Sequence, residues 1–170
     1  MLAAIGGPRA TVRVCQDPLL GGISEALKWD RVEAILRRYR YQADLFLLCV
    51  DRDGEPGRRS QLDRLESRAI TALGTNRLLL GENAWQELEV WTLAGHSLAP
   101  GLRWANVRAE RDPKEHYFAP LALRRNLLNE PGGGRKTLSE EAARRYNRVR
   151  QRCPEDIAAL EDRIRAWTAR

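Results

Sequence analysis

The chain has 170 residues, with 29 Lys and Arg against 23 Asp and Glu for a net charge of +6, and 43% of its residues are hydrophobic. That is one ordinary globular domain's worth of sequence, enough to bury a core and too little for two full-sized domains, and its wealth of Leu, Ile and Val excludes a disordered tail. The longest apolar run, Leu45 to Val50, falls far short of the roughly 20 residues that cross a bilayer, and the start of the chain lacks the basic and apolar stretches of a signal peptide, so a cytosolic protein without a membrane partner is expected.

In chain order, Ala10 to Gln16 alternates apolar and polar residues with β-branched side chains and predicts a half-buried strand closed by Asp17-Pro18. After a turn at Gly21-Gly22, with Ser24 or Asp30 as cap, Trp29, Val32, Ile35, Leu36 and Tyr39 recur at helical spacing, and Arg37, Arg38 and Arg40 complement the helix dipole in the last turn. Leu45 to Val50 has the continuous apolar look of a strand buried on both faces, and it runs into Asp51-Arg52-Asp53-Gly54. Ser60 and Asp63 resemble a capping box ahead of a Leu62, Leu65, Ala69, Leu73 stripe, with Gly74 just past the helix end. Arg77 to Gly81 predicts a short buried strand, and Trp85, Leu88 and Trp91 lead a helix stopping at Gly95. Beyond Pro100, Leu102 to Arg108 is expected as an outer strand, Asp112 to Leu123 as a turn and short helix, and Asn126 to Gly134 as a loop. Thr137 and Glu140 form a capping box for a helix to about Gln151, and Pro154 opens a last helix whose Ile157, Leu160, Ile164 and Trp167 share a face.

Strand and helix alternation of this kind implies an α/β fold, a parallel sheet covered by helices on both faces. The expected organisation is a core over residues 1–123, followed by a basic loop and two packed helices over 124–170. Charge follows the same division. Residues 1–100 hold 13 basic and 13 acidic side chains, and the entire surplus falls in 101–170, with 16 and 10. Nine basic residues crowd into 124–152, which marks a candidate phosphate-binding surface, although a solvated helix has the same look. Cys15, Cys49 and Cys153 are odd in number and widely separated, so they encode neither a disulfide framework nor a zinc knuckle. With His96 and His116 the only histidines, any metal chemistry must run on carboxylates.

Asp51 and Asp53 are two residues apart at a strand end, so on an extended backbone both side chains point the same way and can share a hard cation such as Mg²⁺. They lie at the carboxyl edge of the expected sheet, where ligands of open α/β sheets gather. Asp-Gly after a strand is also an everyday turn signal. Glu87 and Glu89 reach the same edge, where either could add a ligand or orient a metal-bound water, while acidic residues are equally at home in a first helical turn. Gly132 to Thr137 fails as a nucleotide-binding P-loop, since Arg135 takes the place of the glycine before the lysine and no buried strand precedes it. A basic loop leading into a helix can still hold a polynucleotide phosphate through Lys136, and Arg144, Arg148 and Arg152, spaced every four residues, would form a cationic ridge.

A strand ending in V-D-R-D-G, a helix, a short strand and then Q-E-L-E-V-W, followed by D-P-K-E at Asp112 to Glu115 and a Gly-Arg-Lys segment before the last helices, resembles the Toprim domain in a prokaryotic branch related to nucleases of the overcoming-lysogenization-defect type. The resemblance covers roughly residues 10–165. It implies a Mg²⁺ (or Mn²⁺) dependent phosphodiester cleavage of nucleic acid within an anti-phage defence complex. Asp51 and Asp53 would then correspond to the D-x-D metal ligands, Glu87 or Glu89 would supply a ligand or orient water, Lys114 would neutralise the transferring phosphate, and Arg135, Lys136, Arg144, Arg148 and Arg152 would bind the backbone. The family's opening strand, ending in a glutamate, has no counterpart here, since no Glu precedes Glu25. Another subunit or a second copy is therefore expected to complete the sheet edge, with a non-catalytic subunit binding nucleic acid and a partner as the alternative. A small-molecule phosphohydrolase on the same edge is the remaining reading.

Overall fold

A computed structural model describes residues 10–169. The chain is mixed α/β, with a parallel two-stranded sheet and many helices. Helices α1 (Ile23–Ala26) and α2 (Trp29–Tyr39) lead into strand β1 (Leu45–Asp51), then α3 (Arg58–Leu73) and β2 (Leu78–Ala84). Six further helices follow: α4 (Glu89–Ala94), α5 (Trp104–Ala109), α6 (Ala119–Arg124), α7 (Arg135–Arg144), α8 (Tyr146–Arg152) and α9 (Ala159–Thr168). Short π-helical turns at Lys114–Phe118 and Pro154–Ala158 run into α6 and α9. No helix among the described residues is long and apolar enough to cross a membrane.

The chain divides into two compact units. One comprises Thr11–Val50 and Glu55–Asn83; the other comprises Asp51–Gly54 and the chain from Ala84 onward. The line expected at 123/124 thus falls inside the second unit, because α4 packs against α7 and α8 within it.

In the first unit the apolar stripe of α2 (Val32, Leu36) and that of α3 (Leu62, Leu65, Ala69, Leu73) meet Leu48, Val50 and Leu79 of the sheet in one core. Gly74, at φ 74°, ends α3 in a backbone region that a side chain disfavours. Three local expectations are corrected here. Ala10–Gln16 forms no strand among the described residues, since no strand offers it hydrogen bonds, and Val12 and Val14 stay 63% and 81% exposed. Neither Ser24 nor Asp30 caps α2, whose N-cap is Lys28. The helix expected from Ser60 opens earlier, at Arg58, with Gly57 as N-cap; Ser60 lies inside its first turn, while the Glu55 carboxylate accepts the Gly57 N–H at 2.9 Å.

In the second unit Leu93, Val107, Phe118, Leu121, Ala122 and Leu138 form one apolar cluster, and Ala94, Ala142, Val149, Cys153 and Ile157 form another. Leu102 to Arg108 is not an outer strand: Trp104 and Val107 fall on successive helical turns, Val107 is completely buried, and α5 forms instead. The helix expected to run to Gln151 opens at Arg135 rather than at a Thr137 cap, after Gly134 in the left-handed region, and the Thr137 hydroxyl donates to the Glu130 carboxylate. It also breaks at Arg145 (φ −112°, ψ 35°), whose guanidinium reaches the Gly95 carbonyl. All three cysteines are free thiols. Cys15 is exposed, whereas burial pushes the Cys49 thiol up to about 11 and the Cys153 thiol up to about 12.

Candidate functional site

The carboxylates singled out by the sequence all belong to the second unit. β1 ends at Asp51, and the chain turns immediately, with Asp53 at φ 53° and Gly54 at φ 68°. The extended backbone that would have aligned Asp51 and Asp53 therefore stops between them. Gln86 holds this turn: its carbonyl accepts the N–H groups of Arg52 (2.7 Å) and Asp53 (3.0 Å), and its side-chain oxygen accepts that of Gly54 (3.0 Å). Gln86 itself sits at φ 72°, a region unfavourable to a side chain and held here by three hydrogen bonds.

Asp51 and Glu87 are tied into the same stretch of chain. Asp51 Oδ1 accepts the Leu88 N–H at 2.8 Å, and Glu87 Oε2 accepts the Lys114 N–H at 2.7 Å. Both carboxyls are raised above the ordinary range: burial is the largest cause in each, neighbouring carboxylates add to it (Asp53 and Glu89 for Asp51; Glu89, Glu115 and Asp51 for Glu87), and the backbone N–H donors oppose it. Asp53 is exposed and accepts no hydrogen bond among the described residues. The Lys114 ammonium pairs with Glu115 at 3.3 Å and lies close enough to Asp51 to favour its charged form.

Glu89 has a different role from the one expected of a metal ligand. It is buried at the start of α4 and paired with Arg135, Nε to Oε1 at 2.7 Å. Arg135 also donates to the Gly132 carbonyl at 3.0 Å and lies 6.0 Å over the Phe118 ring, so it anchors the glycine loop rather than standing free for phosphate. Arg152 is committed too, donating to the carbonyls of Ala94 (3.3 Å) and His96 (3.0 Å) with its guanidinium 5.2 Å over Trp104. The expected ridge is thus interrupted by the Arg145 break and loses its last member. Lys136 and Arg144 are exposed and Arg148 half-buried, and none has an ion pair among the described residues.

No protein-family model, curated protein or solved structure matches the chain. The fit of the site to a metal rests on its donors. They are all hard oxygens, the kind Mg²⁺ prefers, and two of them belong to carboxyls that burial and mutual repulsion make reluctant to ionise alone. Among the described residues no three His, Cys, Asp or Glu side chains converge into a metal-holding group. Mg²⁺ does not demand such a cage, since it commonly uses one or two carboxylates and fills its octahedron with water and substrate phosphate.

Sequence reasoning passed over Arg52, Trp85 and Asp156. Arg52 stacks 4.2 Å over Trp85 beside the turn, and Arg108 lies 5.2 Å over the same ring. Buried Asp156 accepts from Trp85 N (3.1 Å), Trp91 Nε1 (2.8 Å), Arg108 Nη1 (3.1 Å) and its neighbour Ile157 N (2.9 Å). Its only sequence signal was a place in the first turn of the last helix, which says nothing of partners 65 and 71 residues away.

Proposed function

We propose that the chain is a Toprim-like nuclease subunit that cleaves phosphodiester bonds of nucleic acid with Mg²⁺ (or Mn²⁺), working beside another protein in a prokaryotic anti-phage defence complex. The defence setting and the Toprim assignment rest on the sequence resemblance alone. The observation that carries the chemistry is the gathering of Asp51, Asp53 and Glu87 around one turn and one helix start, with Asp51 and Glu87 raised by burial and by their acidic neighbours. An excess of negative charge held in place by backbone hydrogen bonds favours a cation over empty solvent.

Asp51 and Asp53 would hold the ion, with Glu87 positioned to orient a water. A divalent ion bound there supplies charge neutralisation at phosphate and a more acidic water. Gln86 fixes the turn, and Lys114 and the Trp85-stacked Arg52 bring positive charge to the approach of a phosphate. Lys136, Arg144 and Arg148 are the cations left for the nucleic-acid backbone.

A second reading, a binding subunit that does not cut, is favoured by one observation. Glu89 is already neutralised by Arg135, and Asp51 and Glu87 each use an oxygen to bind backbone. Calorimetry with Mg²⁺ and Mn²⁺, run alongside a cleavage assay on single- and double-stranded DNA and RNA, separates the two. The nuclease reading expects ion binding and cleavage that both vanish in a folded Asp51→Ala/Asp53→Ala variant. Nucleic-acid binding without ion binding or cleavage would select the second reading.

A further inference from the structure

In the first unit the link from α2 to β1 and the link from α3 to β2 meet at the start of the sheet, where the Leu78 N–H donates to the Asp44 carbonyl at 3.0 Å. Tyr41 stands in the first of these links. It is 82% exposed, more than any other large hydrophobic side chain among the described residues. Two guanidiniums nevertheless approach its ring, Arg40 at 5.2 Å and Arg77 at 5.8 Å from the centroid. A ring covered on both faces could not keep that exposure, so at least one face is open to solvent. Arg52, 4.2 Å over the half-buried Trp85, shows the covered alternative.

Both arginines lack partners. Among the described residues only three buried side-chain nitrogen or oxygen atoms have no hydrogen-bond partner, and two of them are Nε of Arg40 and Nε of Arg77. Buried donors without acceptors are rare, so two at one ring mark a cationic pair that the described residues leave uncompensated. Neither guanidinium donates a hydrogen bond or holds an ion pair among those residues, and since Nε is the buried atom of each, the Nη ends reach solvent. The neighbouring Arg37 and Arg38 differ, being paired with Glu33 at 2.8 Å and Asp17 at 2.6 Å. Exposed Asp44 is the only acidic residue in 34–44 or 67–81, and its carboxylate pairs with neither arginine. One carboxylate against two unpaired guanidiniums leaves the surroundings of the ring net positive.

An open aromatic face and two unpaired cations select the occupant together. A simple anion would pair the guanidiniums and leave the ring in water, and an apolar surface would cover the ring and leave the guanidiniums unpaired. A nucleotide strand satisfies both, with a base on the ring and phosphates on the guanidiniums. A base inside a duplex already has neighbours on both faces, so a single strand is the form that can offer one. We infer, resting on the nucleic-acid reading proposed above but not on its metal chemistry, that Tyr41, Arg40 and Arg77 hold a segment of single-stranded nucleic acid. Tyr41 stacks with an unpaired base, and the two guanidiniums meet the phosphates beside it.

The test is fluorescence anisotropy of the whole chain, in chelator, with labelled oligothymidine, an abasic strand of the same length and a duplex. The parent chain is expected to bind oligothymidine about tenfold or more tightly than the abasic strand. Tyr41→Leu, at an exposed position where the fold is not at stake, should remove that gap; Tyr41→Phe should keep it, and neither should change duplex affinity. Arg77→Gln should weaken both single strands alike and flatten the salt slope by about 0.7 units. Equal affinity for oligothymidine and the abasic strand, an unchanged gap in Tyr41→Leu, or no binding to either strand would overturn the inference. Cleavage assayed separately with Mg²⁺ keeps the two readings apart. A chain that cuts nothing yet shows the Tyr41-dependent gap loses the nuclease reading alone, and cleavage without the gap loses this contact alone.

Discussion

Asp156 shows how much one carboxylate can organise. Four donors from four parts of the second unit converge on it, two of them on indole-bearing residues, and it is almost wholly buried. Asp156→Ala removes the shared acceptor, leaves the Trp91 indole N–H without its partner and leaves Arg108 with only its bond to the exposed Glu155, so the expected loss is about 3–5 kcal/mol in urea-induced unfolding. Asp51 and Glu87 carry a different consequence, in pH. Their native carboxyls titrate above the ordinary range, so the stability they contribute is fully present below that range and is lost as pH rises through their raised native values. Glu141, held down chiefly by its hydrogen bond from Arg125, works in the opposite sense, losing its contribution as pH falls. Melting temperature measured in chelator from about pH 4 to 8 should therefore show Asp51→Asn gaining on the parent chain as pH rises, with the difference narrowing when Mg²⁺ is added. At this scale the sequence singles out Asp51, Asp53, Glu87 and Glu89 but not what each one touches. Nothing in Q-E-L-E-V-W says that Glu87 takes a backbone N–H from Lys114 while Glu89 takes Arg135, because that choice depends on partners 27 and 46 residues away.

Elements were legible where the apolar pattern had one solution. The Leu45–Val50 run and the Leu62, Leu65, Ala69, Leu73 stripe fall inside β1 and α3, and the positive φ of Gly74 marks where α3 stops. Leu102 to Arg108 is ambiguous in sequence because a short run with apolar residues at 102, 104 and 107 satisfies a strand pattern and a helical one alike, and burial of Val107 against Leu93 and Phe118 decides for the helix. Ala10–Gln16 failed for the opposite reason: alternation states which face a strand would bury, not whether another strand is there to pair with it. Helix contact brings its own prediction. A methyl group built on Gly95, at the end of α4, would lie 2.4 Å from the Cα of Ala142 in α7. Since Gly95 has an ordinary helical φ of −78°, Gly95→Ala adds no backbone strain, and its expected cost of about 1–3 kcal/mol in urea unfolding isolates the closeness of the two helices.

For the whole molecule, the surplus of +6 is spread less usefully than its sequence suggests, because several of the crowded cations are engaged. Arg125 is paired with Glu141, Arg135 with Glu89 and Arg150 with Glu161, and Arg152 binds carbonyls. The phosphate-contacting charge under the proposed function is then Lys136, Arg144 and Arg148. Replacing all three with Gln should weaken binding to every nucleic-acid sequence alike and flatten the slope of log affinity against log salt by about 2 to 3 units. Arg152→Gln should instead lower the melting temperature and leave that slope nearly unchanged. An unaltered slope in the triple variant would leave the basic surface with no part in binding.

The contrast among the three thiols makes the unmodified chain a single-label protein. Thiolate is the reactive form, and at neutral pH half-buried Cys49 and buried Cys153, raised to about 11 and about 12, hold almost none of it. A maleimide dye should therefore add once to the folded chain, at Cys15, and three times after denaturation, as intact-mass measurement can count. Cys15 lines a cavity that Leu36 of α2 and Leu45 to Leu48 of β1 also border, so that one dye would sit at its mouth and report on that part of the fold without any engineered residue.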